Sequence, residues 1–104
     1  MTEKEFKIKK NQLKRIISTD LGTGIASDDI MVSGKPVKVM ERMELINDHE
    51  KFSGWVFMSG EESQEFLDSP LNSGVYNLNT IANYDKSIIP HLDKPVGTVV
   101  NLTK

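Results

Sequence analysis

The chain has 104 residues, no cysteine and a formal net charge of −2. This length suits one domain with one modest core, and the lack of cysteine excludes both a disulfide framework and thiolate chemistry. The chain has no run of 18 apolar residues that would span a membrane, and its N-terminus lacks the apolar stretch of a secretion signal. We therefore expect a cytoplasmic protein without a membrane partner.

The first 24 residues form a basic leader, which we expect to be an amphipathic helix followed by a Gly-rich turn. This leader carries six basic and three acidic residues, whereas the rest of the chain carries seven and twelve. Thr2 and Glu5 have capping-box spacing, which predicts a helix over residues 2–19. Its apolar face holds four residues at helical spacing: Phe6, Leu13, Ile16 and Ile17. Residues 25–104 then form the α+β body of one compact domain.

The middle of the chain predicts a β-hairpin and a covered strand. Residues 28–45 alternate apolar and polar side chains around the turn residues 33–36, which is typical of two paired strands. In residues 54–59 apolar side chains occupy both faces, which favours a central strand covered on both sides. Ser59 and Glu62 repeat the capping-box spacing, so we expect a helix to begin at Ser59.

The last third of the chain predicts short elements. A strand at 75–79 precedes two short helical turns, the first capped by Thr80 and the second by Asp85 or Ser87. A final strand closes the chain. Together these expectations give an α+β fold: a four- or five-stranded, largely antiparallel sheet with an N-terminal helix and short helices packed on it.

No pattern in the chain predicts catalysis or metal binding. Three acids after the lone tryptophan fall on one stripe of the expected helix: Glu61, Glu65 and Asp68. A catalytic carboxylate needs burial or a tight charge partner, and a solvated stripe provides neither. His49 and His91 have no second ligand group at metal-ligand spacing. We therefore expect no catalytic residue, no metal and no cofactor.

Four stretches of the chain resemble a family of small bacterial domains. They are SGWVFMSGEE (53–62), EFLDS (65–69), VYNLNTIANYDKSIIPHLDKPVG (75–97) and, less closely, VSGKPVKVMERME (32–44). The resemblance extends over residues 28–102 and is to an immunity-protein family of polymorphic toxin systems, formerly a domain of unknown function. It implies a cytosolic protein that binds a cognate toxin and performs no catalysis.

The resemblance and the lack of a catalytic pattern lead to our first hypothesis, a non-enzymatic binding protein of the immunity type. An acidic body can meet a basic toxin surface, because charge complementarity speeds encounter. The expected partner-binding residues all belong to the motif region: Glu61, Glu62, Glu65, Asp68 and Trp55. The identity of the toxin and the oligomeric state stay open.

Two alternatives come from other functional classes. The basic leader could bind nucleic acid, although we favour a solvated helix face because Phe6 is the one aromatic residue there. The residues of this alternative are Lys7, Lys9, Lys10, Lys14 and Arg15. The other is a small hydrolase that uses Ser59 or the Glu61 and Glu62 pair. A deep pocket beside Trp55 would favour the hydrolase.

Overall fold

A five-stranded mixed sheet forms the centre of the protein. The computed structural model describes residues 4–44 and 52–102. Within them the strands are β1 (Thr23–Ser27), β2 (Val39–Arg42), β3 (Phe52–Met58), β4 (Ser73–Asn77) and β5 (Val99–Asn101). Their order across the sheet is β4-β1-β3-β2-β5. Strands β1 and β3 run parallel, and the other neighbouring pairs are antiparallel. This arrangement confirms the predicted α+β class and the largely antiparallel sheet.

Strand β3 lies at the middle of the sheet, as its apolar sequence predicts. Trp55 and Phe57 point to the same face and are completely buried, and Val56 and Met58 on the other face are half-buried. Gly54 precedes the tryptophan with a φ of +92°, and a Cβ there would lie 2.5 Å from the Met43 carbonyl oxygen. Only glycine accepts both that backbone angle and that close approach.

Short helices cover the sheet. The α-helices are α1 (Asp28–Met31), α2 (Gln64–Asp68) and α3 (Leu78–Tyr84). Single 3-10 segments lie at Lys10–Gln12, Thr19–Leu21, Pro70–Asn72 and Lys86–His91. Asn77 caps α3 with its side chain, so the prediction that Thr80 is the cap was wrong. Asp85 caps the last 3-10 segment by accepting from the Ser87 backbone N–H, as predicted. The core residues come from the sheet, the helices and the segment before β2: Ala26, Ile30, Met31, Val37, Met40, Trp55, Phe57, Leu78, Ile81, Ala82 and Ile88.

The predicted hairpin is wrong in its first arm. The first strand lies earlier, at Thr23–Ser27, and begins within the expected Gly-rich turn, while Asp28–Met31 is helical. Gly24 explains the difference, because a Cβ there would lie 2.9 Å from the Phe57 ring and 3.0 Å from the Trp55 carbonyl oxygen. The glycine therefore serves close packing within the sheet instead of a turn. The two aspartates suit the first turn of a helix, where negative charge is stabilised.

The predicted N-terminal helix is also wrong. Residues 4–18, which we call the N-terminal strap, form irregular chain with one 3-10 turn at Lys10–Gln12. The N-terminal strap lies against α3, and side chains of α3 bind its backbone. These bonds take the place of the backbone hydrogen bonds that a helix would form. Tertiary contacts therefore override the helical spacing of the apolar residues. Thr2, the expected cap, lies outside the described residues.

Three side chains of α3 hold the N-terminal strap. The Asn83 amide accepts from the Lys14 N–H at 2.9 Å and donates to the Lys14 carbonyl at 2.7 Å. The Asn79 side chain accepts from the N–H groups of Ile16 and Ile17 and also donates to Lys14. The Tyr84 hydroxyl bonds both backbone groups of Ile8, at 3.1 and 3.2 Å. An amide or a hydroxyl can donate and accept at once, so each of these side chains can bind both the N–H and the C=O groups of the strap backbone.

Candidate functional site

The carboxyl ends of the parallel strands β1 and β3 meet at one edge of the sheet, and charged side chains gather there. Strand β1 ends at Ser27 and runs directly into α1, while β3 ends at Met58, just before the motif acids. We call this group the carboxyl-edge cluster. Its members are Ser27, Asp28, Asp29, Lys35, Ser59, Glu61 and Glu62.

Glu62 joins the ends of the two parallel strands. Its Oε2 atom accepts hydrogen bonds from the Ser59 N–H at 2.8 Å and from the Ser27 hydroxyl. Its Oε1 atom accepts from the Gly60 N–H at 3.0 Å. Burial raises the pKa of Glu62, but the hydrogen bonds from Ser27 and from the backbone outweigh it, so the net pKa lies below its usual value. Glu62 is therefore a charged group that stabilises this corner.

The rest of the carboxyl-edge cluster is an ion-pair network. The Ser59 hydroxyl is fully buried, donates to Asp29 at 3.0 Å and accepts from the Glu61 N–H. The Lys35 ammonium lies 3.3 Å from Glu61 and 3.7 Å from Asp29. Its hydrogen bond to Glu61, followed by the charges of Asp29 and Glu61, raises the pKa of Lys35. Because Ser59 is completely buried, a substrate has no access to its hydroxyl, and the bond to Asp29 holds the two strand ends together.

The predicted helix start at Ser59 was wrong by five residues. Helix α2 begins at Gln64, where the Ser63 hydroxyl accepts from the Phe66 N–H. Ser59 and Glu62 still form one of the two hydrogen bonds of a capping box, because the Glu62 carboxylate accepts from the Ser59 N–H. Glu61 therefore lies before the helix and does not belong to a helical stripe with the later acids.

Residues 61–75 form a second feature, which we call the α2–β4 surface. This stretch contains four acidic residues and no basic one. Glu65 and Asp68 are exposed, and β4 is an edge strand of the sheet. Three apolar side chains of the same stretch are also exposed: Leu67 at 39%, Leu71 at 77% and Val75 at 64%. Exposed apolar side chains of this kind are one mark of a protein-binding surface.

Trp55 lies away from solvent, although the sequence placed it among the partner-binding residues. It is fully buried, and its indole N–H donates to the Leu92 carbonyl at 3.0 Å. A groove of about 510 Å³ opens at the opposite edge of the sheet from the carboxyl-edge cluster. We call it the Arg42 groove, and its walls include Ile17, Leu21, Arg42, Leu78, Leu92 and Asp93. Since Ser59, Glu61 and Glu62 do not line it, this groove gives no support to the hydrolase hypothesis.

The basic residues of the nucleic-acid alternative lie along the N-terminal strap. All five side chains, those of Lys7, Lys9, Lys10, Lys14 and Arg15, are exposed. Because the strap is not helical, they do not share one helix face. Phe6 packs edge-to-face on Tyr76 with ring centroids 5.7 Å apart and is half-buried, so it cannot stack on a base. Nucleic-acid binding stays a prediction.

The histidines offer no metal centre that the structure describes. His91 is half-buried, and its Nδ1 atom is buried without a hydrogen-bond partner. His49 lies outside the described residues. Within residues 4–44 and 52–102, no three His, Asp or Glu side chains lie close enough to hold an ion. The helices in the same ranges are all too short or too polar to cross a bilayer.

Sequence reasoning missed several residues that organise these sites. Ser27 and Asp29 were missed because residues 25–27 were assigned to no strand and Asp29 was placed in a hairpin arm, so the parallel pair that brings them to Ser59 was not foreseen. Asn79 and Asn83 were missed as ligands of the N-terminal strap. Their spacing of four residues on a predicted helix was the available signal, since it places two amides on one face.

Comparison with known proteins identifies one family. The model described as the Immunity protein Imm33 domain matches residues 24–104. No curated protein matches the chain, and no solved structure matches it. The matched range begins within β1 and includes the carboxyl-edge cluster, the α2–β4 surface and most of the Arg42 groove. It leaves out the N-terminal strap.

Proposed function

The chain belongs to the Imm33 family of immunity-protein domains, and on that premise we propose that it is a non-catalytic protein that neutralises a cognate toxin by binding it. The family match over residues 24–104 is the observation that carries this proposal. We place the protein in the cytoplasm, where a producing cell must protect itself. Its partner is a protein, and binding needs neither cofactor nor metal.

The α2–β4 surface is the face we propose for the toxin. It exposes the carboxylates of Glu65 and Asp68 together with the apolar side chains of Leu67, Leu71 and Val75. Glu61 extends the acidic rim, although Lys35 neutralises part of its charge. Glu62 is engaged in hydrogen bonds and Trp55 is buried, so we do not propose either as a direct contact of the toxin. A partly apolar, acidic face suits a toxin with a basic functional surface, because opposite charges accelerate association.

Co-expression tests the proposed function directly. The gene for this protein would be expressed with each neighbouring toxin-like gene, and survival and co-purification would be measured. We expect rescue of growth and a stable complex with one toxin. If every neighbouring product is harmless, or if the toxic one is neither bound nor neutralised, the immunity function is wrong.

A charge-reversal pair then tests the proposed face. The double variant Glu65→Lys and Asp68→Lys changes two exposed acids of the α2–β4 surface. Its matched control, Glu5→Lys and Glu44→Lys, makes the same charge change at exposed positions elsewhere. We expect the association rate to fall at least about tenfold for the first variant at low salt, and much less for the control. Equal losses would mean that net charge, and not this face, governs binding.

A further inference from the structure

The Arg42 groove holds a guanidinium that is fixed in place. The Arg42 Nε–H donates to the Ser53 carbonyl at 3.0 Å, and Nη1 donates to the Lys94 carbonyl at 2.7 Å. The guanidinium carbon lies 5.8 Å from the centroid of the buried Trp55 ring. These contacts hold a flexible side chain in one orientation, so a ligand would not have to pay for ordering it.

This guanidinium has no anionic partner among the residues that the structure describes. The ion pairs of residues 4–44 and 52–102 involve only Lys4 and Lys35 as cations. Two of the five guanidinium N–H donors are bonded to backbone carbonyls, which leaves three for a ligand. A half-buried cation with free donors is a recognition group for a carboxylate, which guanidinium binds through charge-assisted hydrogen bonds.

The walls around Arg42 are mainly apolar. Ile17, Leu78 and Leu92 line the groove, and Leu21 on its rim is 51% exposed. Asp93 also lines it, but its carboxylate forms no ion pair with the guanidinium and is exposed to solvent. Solvent screens the repulsion between Asp93 and a carboxylate of the ligand more than it weakens a direct contact of that carboxylate with Arg42. The groove therefore combines aliphatic contact with recognition of one negative charge.

We propose that the Arg42 groove binds a segment of another protein that presents a carboxylate beside an aliphatic side chain. The groove volume of about 510 Å³ suits a few side chains, but its open rim would leave much of a small free acid in water. A protein segment gains further contacts outside the groove. The positive charge of the fixed Arg42 guanidinium is complementary to the negative charge of the carboxylate on that segment. This inference does not rest on toxin neutralisation, since the groove lining that the structure describes shares no residue with the α2–β4 surface and its test uses no toxin.

NMR titration of the full, isotope-labelled chain tests this proposal with two matched peptides. The probes are acetyl-Leu-Glu-Leu-amide and its neutral isostere acetyl-Leu-Gln-Leu-amide. We expect the glutamate peptide to shift the Arg42 Nε–H and Trp55 indole resonances, with a Kd at least about fivefold lower than that of the glutamine peptide. Equal affinity for the two peptides, or shifts that fall elsewhere, would overturn the proposal.

Two variants and a small acid sharpen the test. Arg42→Gln should abolish the preference for the glutamate peptide, whereas Asp93→Asn should strengthen its binding about twofold or more by removing the repelling charge. The second variant removes no hydrogen bond or ion pair that the structure records, so it tests the proposal even if the first one folds poorly. Hexanoate, which carries only an aliphatic chain and a carboxylate, should bind more weakly than the glutamate peptide. Equal binding would identify a small-acid site and contradict the protein occupant.

Discussion

Substitution of Glu62 by glutamine tests whether this carboxylate stabilises the corner at which β1 and β3 end. Glutamine has nearly the same shape but no charge, and its side chain has only one acceptor oxygen. That oxygen can keep the Ser59 and Ser27 bonds, while the NH2 group would face the Gly60 N–H, which loses its acceptor and is solvated because Gly60 is exposed. Each retained bond loses the extra strength of a charged acceptor, which is worth about 1 kcal/mol.

The two weakened bonds predict a loss of about 2 kcal/mol, which we reduce to about 1.5 kcal/mol because the carboxylate is only half-buried. The pKa of Glu62 is lowered in the folded protein, so its stabilising effect is full above the unfolded pKa of about 4.3 and is lost as the pH falls through the folded pKa. The difference between the parent protein and Glu62→Gln should therefore be largest at neutral pH and shrink in acid.

Urea unfolding at several pH values measures this difference. Glu61→Gln is the matched control, since its exposed carboxylate should change the free energy of unfolding by less than about 0.5 kcal/mol. If Glu62→Gln is as stable as the control at pH 7, the hydrogen bonds do not stabilise the corner. A difference that persists unchanged down to pH 3 would contradict the assigned charge state.

Two further predictions concern the N-terminal strap and the glycine before the tryptophan. Asn83→Ala should lower the protection of the Lys14 amide in hydrogen exchange by about tenfold, with a smaller effect at Ile16 and Ile17, which Asn79 still binds. Unchanged protection at Lys14 would show that Asn83 does not hold the N-terminal strap. Gly54→Ala should cost at least about 2 kcal/mol more than Gly97→Ala in urea unfolding, because both glycines have a positive φ but only at Gly54 would the new Cβ meet a carbonyl oxygen. Equal costs would mean that the backbone angle alone matters.

Local patterns predicted the features whose sequence signal lies in neighbouring residues. The apolar faces of β3 identified a central strand, and Asp85 was recognised as a cap because its partner is two residues away. The N-terminal strap was mistaken for a helix because its partners are Asn79, Asn83 and Tyr84, far along the chain. No periodicity within the first 20 residues carries that information.

The candidate sites were foreseen only in part, for the same physical reason. The acidic character of residues 61–75 was visible in the sequence. Which of the acids are held by hydrogen bonds and which are free on the surface was not. Glu62 is engaged because the parallel pairing of β1 with β3 brings Ser27 beside it. Arg42 was predicted only as a strand residue. Its role in the groove depends on backbone carbonyls of Ser53 and Lys94 and on the Trp55 ring.

The N-terminal strap has a consequence for the order of events on the ribosome. Lys14 bonds to Asn83 across 69 positions, and Ile8 bonds to Tyr84 across 76. Translation releases the N-terminal strap before α3, the helix that binds it. The nascent strap therefore stays undocked until α3 has been synthesised. During that interval the strap is accessible to chaperones and to proteases, and access closes when α3 folds.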